Sequence, residues 1–80
     1  MILINDSYTL EQAAEILTAN LKADGYDTTN PVPPRLVQDI AERGYMDVGY
    51  QEPTPIIRAG SLVSYMEDHL THLANEMGLP

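Results

Sequence analysis

An 80-residue chain with twelve acidic side chains against four basic ones, and a formal net charge of −8, has room for one small domain. At this size a chain buries only about 60% of the surface it exposes when unfolded, which argues against a large catalytic cleft. Hydrophobic residues at 44% suffice for an ordered core, while the absence of cysteine excludes a disulfide staple, a thiolate nucleophile and a thiolate metal site.

The opening Met1-Ile2-Leu3-Ile4-Asn5-Asp6 has neither a basic region nor a long apolar run. No signal peptide or membrane span is therefore expected, and the cytoplasm is the default compartment. Residues 2–4 are a candidate strand. The first helix carries the clearest local signal. Thr9 and Gln12 form a capping-box pattern, and Tyr8 is placed to staple onto Ala13. Leu10, Ala13, Ala14, Leu17 and Leu21 recur at helical spacing, with Glu11, Glu15 and Lys22 off the stripe and Gly25 as the stop.

Residues 25–34, GYDTTNPVPP, hold three prolines among turn formers and read as a loop. A connection of this length in so small a domain is commonly functional or mobile. A second helix starts near Pro34, buries Leu36, Val37, Ile40 and Ala41, and ends at Gly44. Residues 45–50 then read as a strand, with a turn over residues 51–54 and a return strand over residues 55–58. Pro55 belongs at an edge or a strand start. Because a lone hairpin is marginal, residues 2–4 would supply a third strand. A third helix runs from after Ser61 to about Met77, on a stripe of Leu62, Met66, Leu70, Leu73 and Met77 closed by Gly78. The expected fold class is α+β: a single domain of three helices with a β-hairpin and an N-terminal third strand.

Three stretches, taken in order, resemble the excisionase and MerR-like group of small winged-helix proteins. Tyr8-Thr9-Leu10-Glu11-Gln12-Ala13-Ala14-Glu15-Ile16-Leu17 looks like that group's first-helix signature, Thr-x-Glu-Glu-Ala-Ala-x-x-Leu. Leu36-Val37-Gln38-Asp39-Ile40-Ala41-Glu42-Arg43-Gly44 looks like its recognition helix with the closing glycine. Pro55-Ile56-Ile57-Arg58, followed by Ser61-Leu62-Val63-Ser64-Tyr65-Met66, looks like the wing return and final helix. The resemblance covers roughly residues 8–70. It implies DNA binding with the second helix in the major groove and the wing on the backbone. On that reading Arg35 and Gln38 approach base edges while Arg43 and Arg58 hold phosphates.

The charge distribution points to a different partner. Residues 1–31 carry Lys22 against Asp6, Glu11, Glu15, Asp24 and Asp27, and residues 61–80 carry Glu67, Asp68 and Glu76 with no lysine or arginine. Even residues 32–60, which hold Arg35, Arg43 and Arg58, carry four acids. Three phosphate contacts support only a shallow salt dependence, and acids within a Debye length of about 8 Å repel the same phosphates. An acidic coat on a DNA-binding frame suits the basic, nucleic-acid-binding surface of a host protein, with carboxylates standing in for phosphates. Small acidic phage inhibitors, many anti-CRISPR proteins among them, are similar in size and charge. The candidate partner-binding residues are Glu11, Glu15, Asp24, Tyr26 and Asp27, with Asp39 and Glu42 as a second group. DNA is a partner only on the alternative reading.

Chemistry is not signalled. His69 and His72 lie three apart near Asp68 and Glu76, a spacing that places two imidazoles on one face. With two histidines and no thiolate, the expectation is partly exposed helix histidines, His72 favouring the negative end of its helix, and no metal. Ser7, Ser61 and Ser64 read as turn, cap and helix-surface residues. No glycine-rich phosphate loop is present, and neither enzyme activity nor a cofactor is expected. Tyr45 and Tyr50 are expected to pack the hairpin against the helices. Met77, near the chain end, is a candidate homodimer contact.

Overall fold

The computed structural model describes residues 6–51 and 54–79, with the backbone alone for Tyr50, Gln51 and Thr54. The element order is β1 (Ser7–Thr9), α1 (Leu10–Ala23), α2 (Pro34–Ile40), β2 (Val48–Gln51), β3 (Thr54–Arg58) and α3 (Ala59–Glu76). One antiparallel sheet has the order β1-β3-β2, so the last strand in the chain is the central one. Together these make a small α+β domain of winged-helix-like arrangement, with α1 and α2 followed by the β2–β3 hairpin.

The capping box sets the start of α1. Gln12 N–H donates to Thr9 Oγ1 at 3.1 Å, and Thr9 N–H donates to Gln12 Oε1 at 3.0 Å. Two of the helix's orphan donors are thereby satisfied. Tyr8 and Ala13, the staple pair, are both buried. The helix stops at Asp24, and Gly25 takes φ +92°, a conformation glycine adopts without the steric penalty of a Cβ. Pro34 opens α2 as its first helical residue. Ala41–Tyr45 then form a single widened turn of π type, within which Gly44 reaches φ +99°.

The core gathers the α1 stripe (Ala13, Ala14, Leu17, Leu21), Val37, Ile40 and Ala41 behind α2, Ile57 of the central strand, and Leu62, Tyr65, Met66, Leu73 and Ala74 of α3. No polar side chain other than the tyrosines belongs to this buried set.

Several expectations are corrected. The N-terminal strand lies at Ser7–Thr9, and residues 2–4 fall outside the described residues. The hairpin strand begins at Val48 rather than at residue 45, because Gly44 and Tyr45 are still in the widened turn and Met46 is tucked into the core. Helix α3 begins two residues before Ser61. Ser61 clips two segments together instead, its Oγ accepting from Asp47 N–H at 3.0 Å and donating to the Arg58 carbonyl at 2.9 Å. Ser7 sits in a strand, not a turn. Helix α3 is also interrupted at His69, whose φ of −131° leaves the helical range.

Pro55 occupies the central strand, opposite Tyr50 of β2. Its missing N–H costs nothing there. Arg58 N–H bonds Asp47 O on the β2 side and Ala59 N–H bonds Asp6 O on the β1 side. Alternation along the ladder therefore turns the Pro55 nitrogen toward β1, which has already ended opposite Ile56.

The proline-rich loop is anchored. Val32 is 3% exposed, its N–H donates to Thr18 Oγ1 at 2.9 Å, and Thr18 Oγ1 donates to Ala14 O at 2.7 Å. Tyr26 N–H returns to Leu21 O at 3.0 Å, and its ring is half-buried against the core.

Candidate interaction surfaces

The seven acidic and aromatic candidates do not form one site. Glu11 and Glu15 lie one turn apart on the exposed face of α1, where they border a groove with Thr18, Lys22 and the loop prolines Pro31 and Pro34. Neither carboxylate makes a hydrogen bond or ion pair among the described residues. Asp24 is exposed at the end of α1, and Asp27 is exposed in the loop. Thr29 donates to Asp27 Oδ1 from both its hydroxyl (2.6 Å) and its backbone N–H (3.0 Å), which holds the Asp27 carboxyl below the usual aspartate range. Tyr26 is committed in part to the core, so it offers an edge rather than a free ring.

The second group sits on the outer face of α2. Arg35, Gln38, Asp39 and Glu42 line one groove, walled by Pro31 and Pro33 on one side and by Glu76 and Met77 on the other. The proline-rich segment thus separates the α1 groove from the α2 groove, and Pro31 borders both. Residues assigned to competing readings, Arg35 and Gln38 for DNA and Asp39 and Glu42 for a basic protein, share this single face.

Arg43 is the residue whose situation sequence reasoning did not foresee. Its guanidinium fork takes Asp39 through one nitrogen, and Glu76 Oε1 at 2.6 Å through the other. Glu76 first, then Asp39, holds the guanidinium still more firmly in its charged form. The Asp39 bridge is an i,i+4 pair that a helical reading allows. The Glu76 bridge joins side chains 33 positions apart and leaves no local trace.

Beyond Glu76 the network runs inward. His72 Nε2 lies 3.4 Å from Glu76 Oε1, and His72 Nδ1 is 2.9 Å from the hydroxyl of Tyr65. Tyr65 is fully buried, and burial, reinforced by the nearby Glu76 and Tyr45, pushes its phenol well above the ordinary tyrosine value. The phenol therefore keeps its proton; its hydroxyl and His72 Nδ1 share one hydrogen bond, while Nε2 faces Glu76. The Tyr45 ring stacks on His72 at a centroid distance of 4.4 Å and 21° between planes, and meets His69 and Tyr65 edge-on. Tyr45 thus covers the histidines of α3, not the hairpin, and it stays 38% exposed. The side chain of Tyr50 falls outside the described residues.

Neither histidine belongs to a metal-ligand cluster, since no group of three or more potential ligands occurs among the described residues. No described helix is long and apolar enough to cross a membrane. Arg58 lies apart from Arg35 and Gln38. It borders a shallow depression at the start of α3 with Asp6, Asp47 and Ser61. No family model, curated protein or solved structure matches the chain.

Proposed function

We propose that this chain is a non-enzymatic, acidic protein-binding module of a phage or mobile element, which occupies the basic nucleic-acid-binding surface of a host protein in the manner of a DNA mimic or anti-CRISPR inhibitor. The observation that carries this reading is the double engagement of Arg43 by Asp39 and Glu76. Of the three arginines in the region where a winged helix would meet phosphates, the one near the end of α2 is neutralised from within. Arg35 and Arg58 remain, on separate parts of the surface, among exposed carboxylates. Two phosphate contacts contribute little affinity at cellular salt, whereas the same acids attract a cationic protein surface and speed its association.

The test combines two measurements. Fluorescence anisotropy with duplex DNA, including the region upstream of its own gene, is expected to show no site-selective binding at about 150 mM salt. Capture from host lysate at low salt is expected to retain a nucleic-acid-binding protein that duplex DNA displaces. A variant with Glu11, Glu15, Asp24 and Asp27 all changed to Lys is expected to lose it while keeping the wild-type circular dichroism spectrum. Tight, sequence-selective binding of duplex DNA by the purified protein alone overturns the proposal.

A second reading, an excisionase- or MerR-like DNA-binding regulator or recombination directionality factor, draws support from Arg35. This side chain is exposed beside Gln38 and has no ion-pair partner among the described residues. It predicts gel retardation that is lost in Arg35→Ala and strengthened in Asp39→Asn/Glu76→Gln, which frees Arg43.

A further inference from the structure

We infer that the groove between α1 and the proline-rich loop is the anchoring point for an arginine side chain of a protein partner, its guanidinium between Glu11 and Glu15 and its aliphatic stem on the apolar floor beneath them. The inference rests on the proposed basic partner and names where that partner is gripped and by which side chain.

Three observations favour this groove over the acidic face of α2. The first is electrostatic. On the α2 face, Asp39 and Glu76 already share Arg43, and Glu42 makes contacts of its own. Lys22 also lines the groove, about two helical turns beyond Glu15, but it forms no ion pair with either glutamate, and neither glutamate has another partner among the described residues, so their charge is available to an incoming cation. The second is geometric. Residues four apart on a helix place their Cβ atoms about 5–6 Å from each other, a span that a planar guanidinium fork can bridge but a single ammonium fills less well.

The third is the floor. Ala14, Ala19, Pro31, Val32 and Pro34 line the groove beside the two glutamates. An apolar floor with carboxylates at its rim suits a long side chain that lays its methylene stem on hydrocarbon while its charged head reaches outward. The floor is also pre-organised. Val32 is buried and tied through Thr18 to the α1 backbone, so the loop wall need not be ordered when the partner arrives. A second copy of this chain is a poor occupant, because each copy carries a net charge of −8.

The proposal is tested by titrating isotope-labelled protein with a short peptide of alternating arginine and leucine at low salt, and following backbone amides by two-dimensional NMR. Saturable shifts are expected at Ala14, Glu15, Thr18, Ala19 and Val32. The lysine-for-arginine peptide is expected to bind at least threefold more weakly. Glu11→Gln/Glu15→Gln is expected to weaken the arginine peptide at least fivefold, with amides outside the groove unmoved. Asp39→Asn/Glu42→Gln is expected to leave it within twofold of wild type. Shifts centred on α2 and cancelled by the Asp39/Glu42 variant would overturn the groove assignment while leaving a basic partner in place. Shifts spread evenly over all acidic residues, or equal affinity for the two peptides, would also overturn it. The absence of any saturable shift at low salt would overturn both the groove and the broader reading.

Discussion

Replacing Tyr65 by Phe isolates one buried hydroxyl and makes a prediction with two signs. The hydroxyl shares a hydrogen bond with His72 Nδ1 at 2.9 Å, and its removal leaves that nitrogen without its partner. The His72 side chain is 26% exposed, so water can compensate in part, and the cost is set at about 0.5–1 kcal/mol, the lower part of the range for a lost hydrogen bond. Above pH 10 the sign reverses. Burial raises the Tyr65 phenol above its unfolded value near 10, so the unfolded chain releases this proton first. A group whose folded value is raised contributes stability below its unfolded value and loses it as pH climbs toward the folded one. The wild type therefore loses up to about 1.4 kcal/mol per pH unit that Tyr65→Phe does not lose. The two stability curves cross between about pH 10 and 11. Urea unfolding followed by far-ultraviolet circular dichroism, in steps from pH 7 to 11, measures the difference directly, and titration of groups away from Tyr65 cancels in the comparison. Curves that stay parallel through pH 11 would refute the claim that the folded state holds this phenol neutral. Equal stabilities at pH 7 would refute the hydroxyl's part in the network.

Three further substitutions test the local architecture. Gly44→Ala places a Cβ at φ +99° where no atom lies within 4 Å, so its cost is backbone strain alone, about 1–2 kcal/mol, read as a lower urea midpoint with an unchanged slope. Thr9→Ala removes the hydroxyl that caps α1 and is expected to cost about 1 kcal/mol in the same assay. Val32→Ala removes roughly two methylene equivalents from a residue 3% exposed and is expected to cost about 2 kcal/mol, whereas a loop held only loosely would lose less than about 0.5 kcal/mol.

The Arg43 network is chiefly an arrangement of charge, not a source of stability. The Arg43 side chain is 44% exposed and that of Asp39 53%, so solvent screens the pair, and bridges of this kind add little to stability. Its consequence is functional, because a base that would otherwise face outward from α2 is held by two acids. Tyr45, stacked over His72, shelters the inner end of the same network.

Much of the architecture was legible in the residues, though unevenly. The strand pattern was the weakest part. Residues 45–50 alternate only roughly, and no local rule separates a strand that starts at residue 45 from a widened helical turn followed by a strand at Val48. Periodicity likewise grouped Leu62, Met66, Leu70 and Leu73 but passed over Tyr65, which is fully buried. The segment of residues 25–34 read as a loop by its composition and as functional or mobile by its length. Val32, its single large aliphatic residue, was the available sign that the loop returns to the core.

Helix starts and stops are decided within a turn of chain, by a hydroxyl reaching an amide three residues on or by a glycine able to take a positive φ. Thr9, Gln12, Pro34, Gly25 and Gly44 therefore announced themselves before any fold was known. Which charges cancel and which stay available depends on side chains brought together from distant parts of the chain. Arg43 meets Glu76 only because α3 packs beside the turn that ends α2, and the pairing of Tyr45 with His72 has the same origin. Counting acids and bases along the chain gave the net charge. Only the tertiary packing decided that the carboxylates of Glu11 and Glu15 stay uncompensated while the guanidinium of Arg43 does not, because Coulomb energy depends on distance in space and not on separation in sequence.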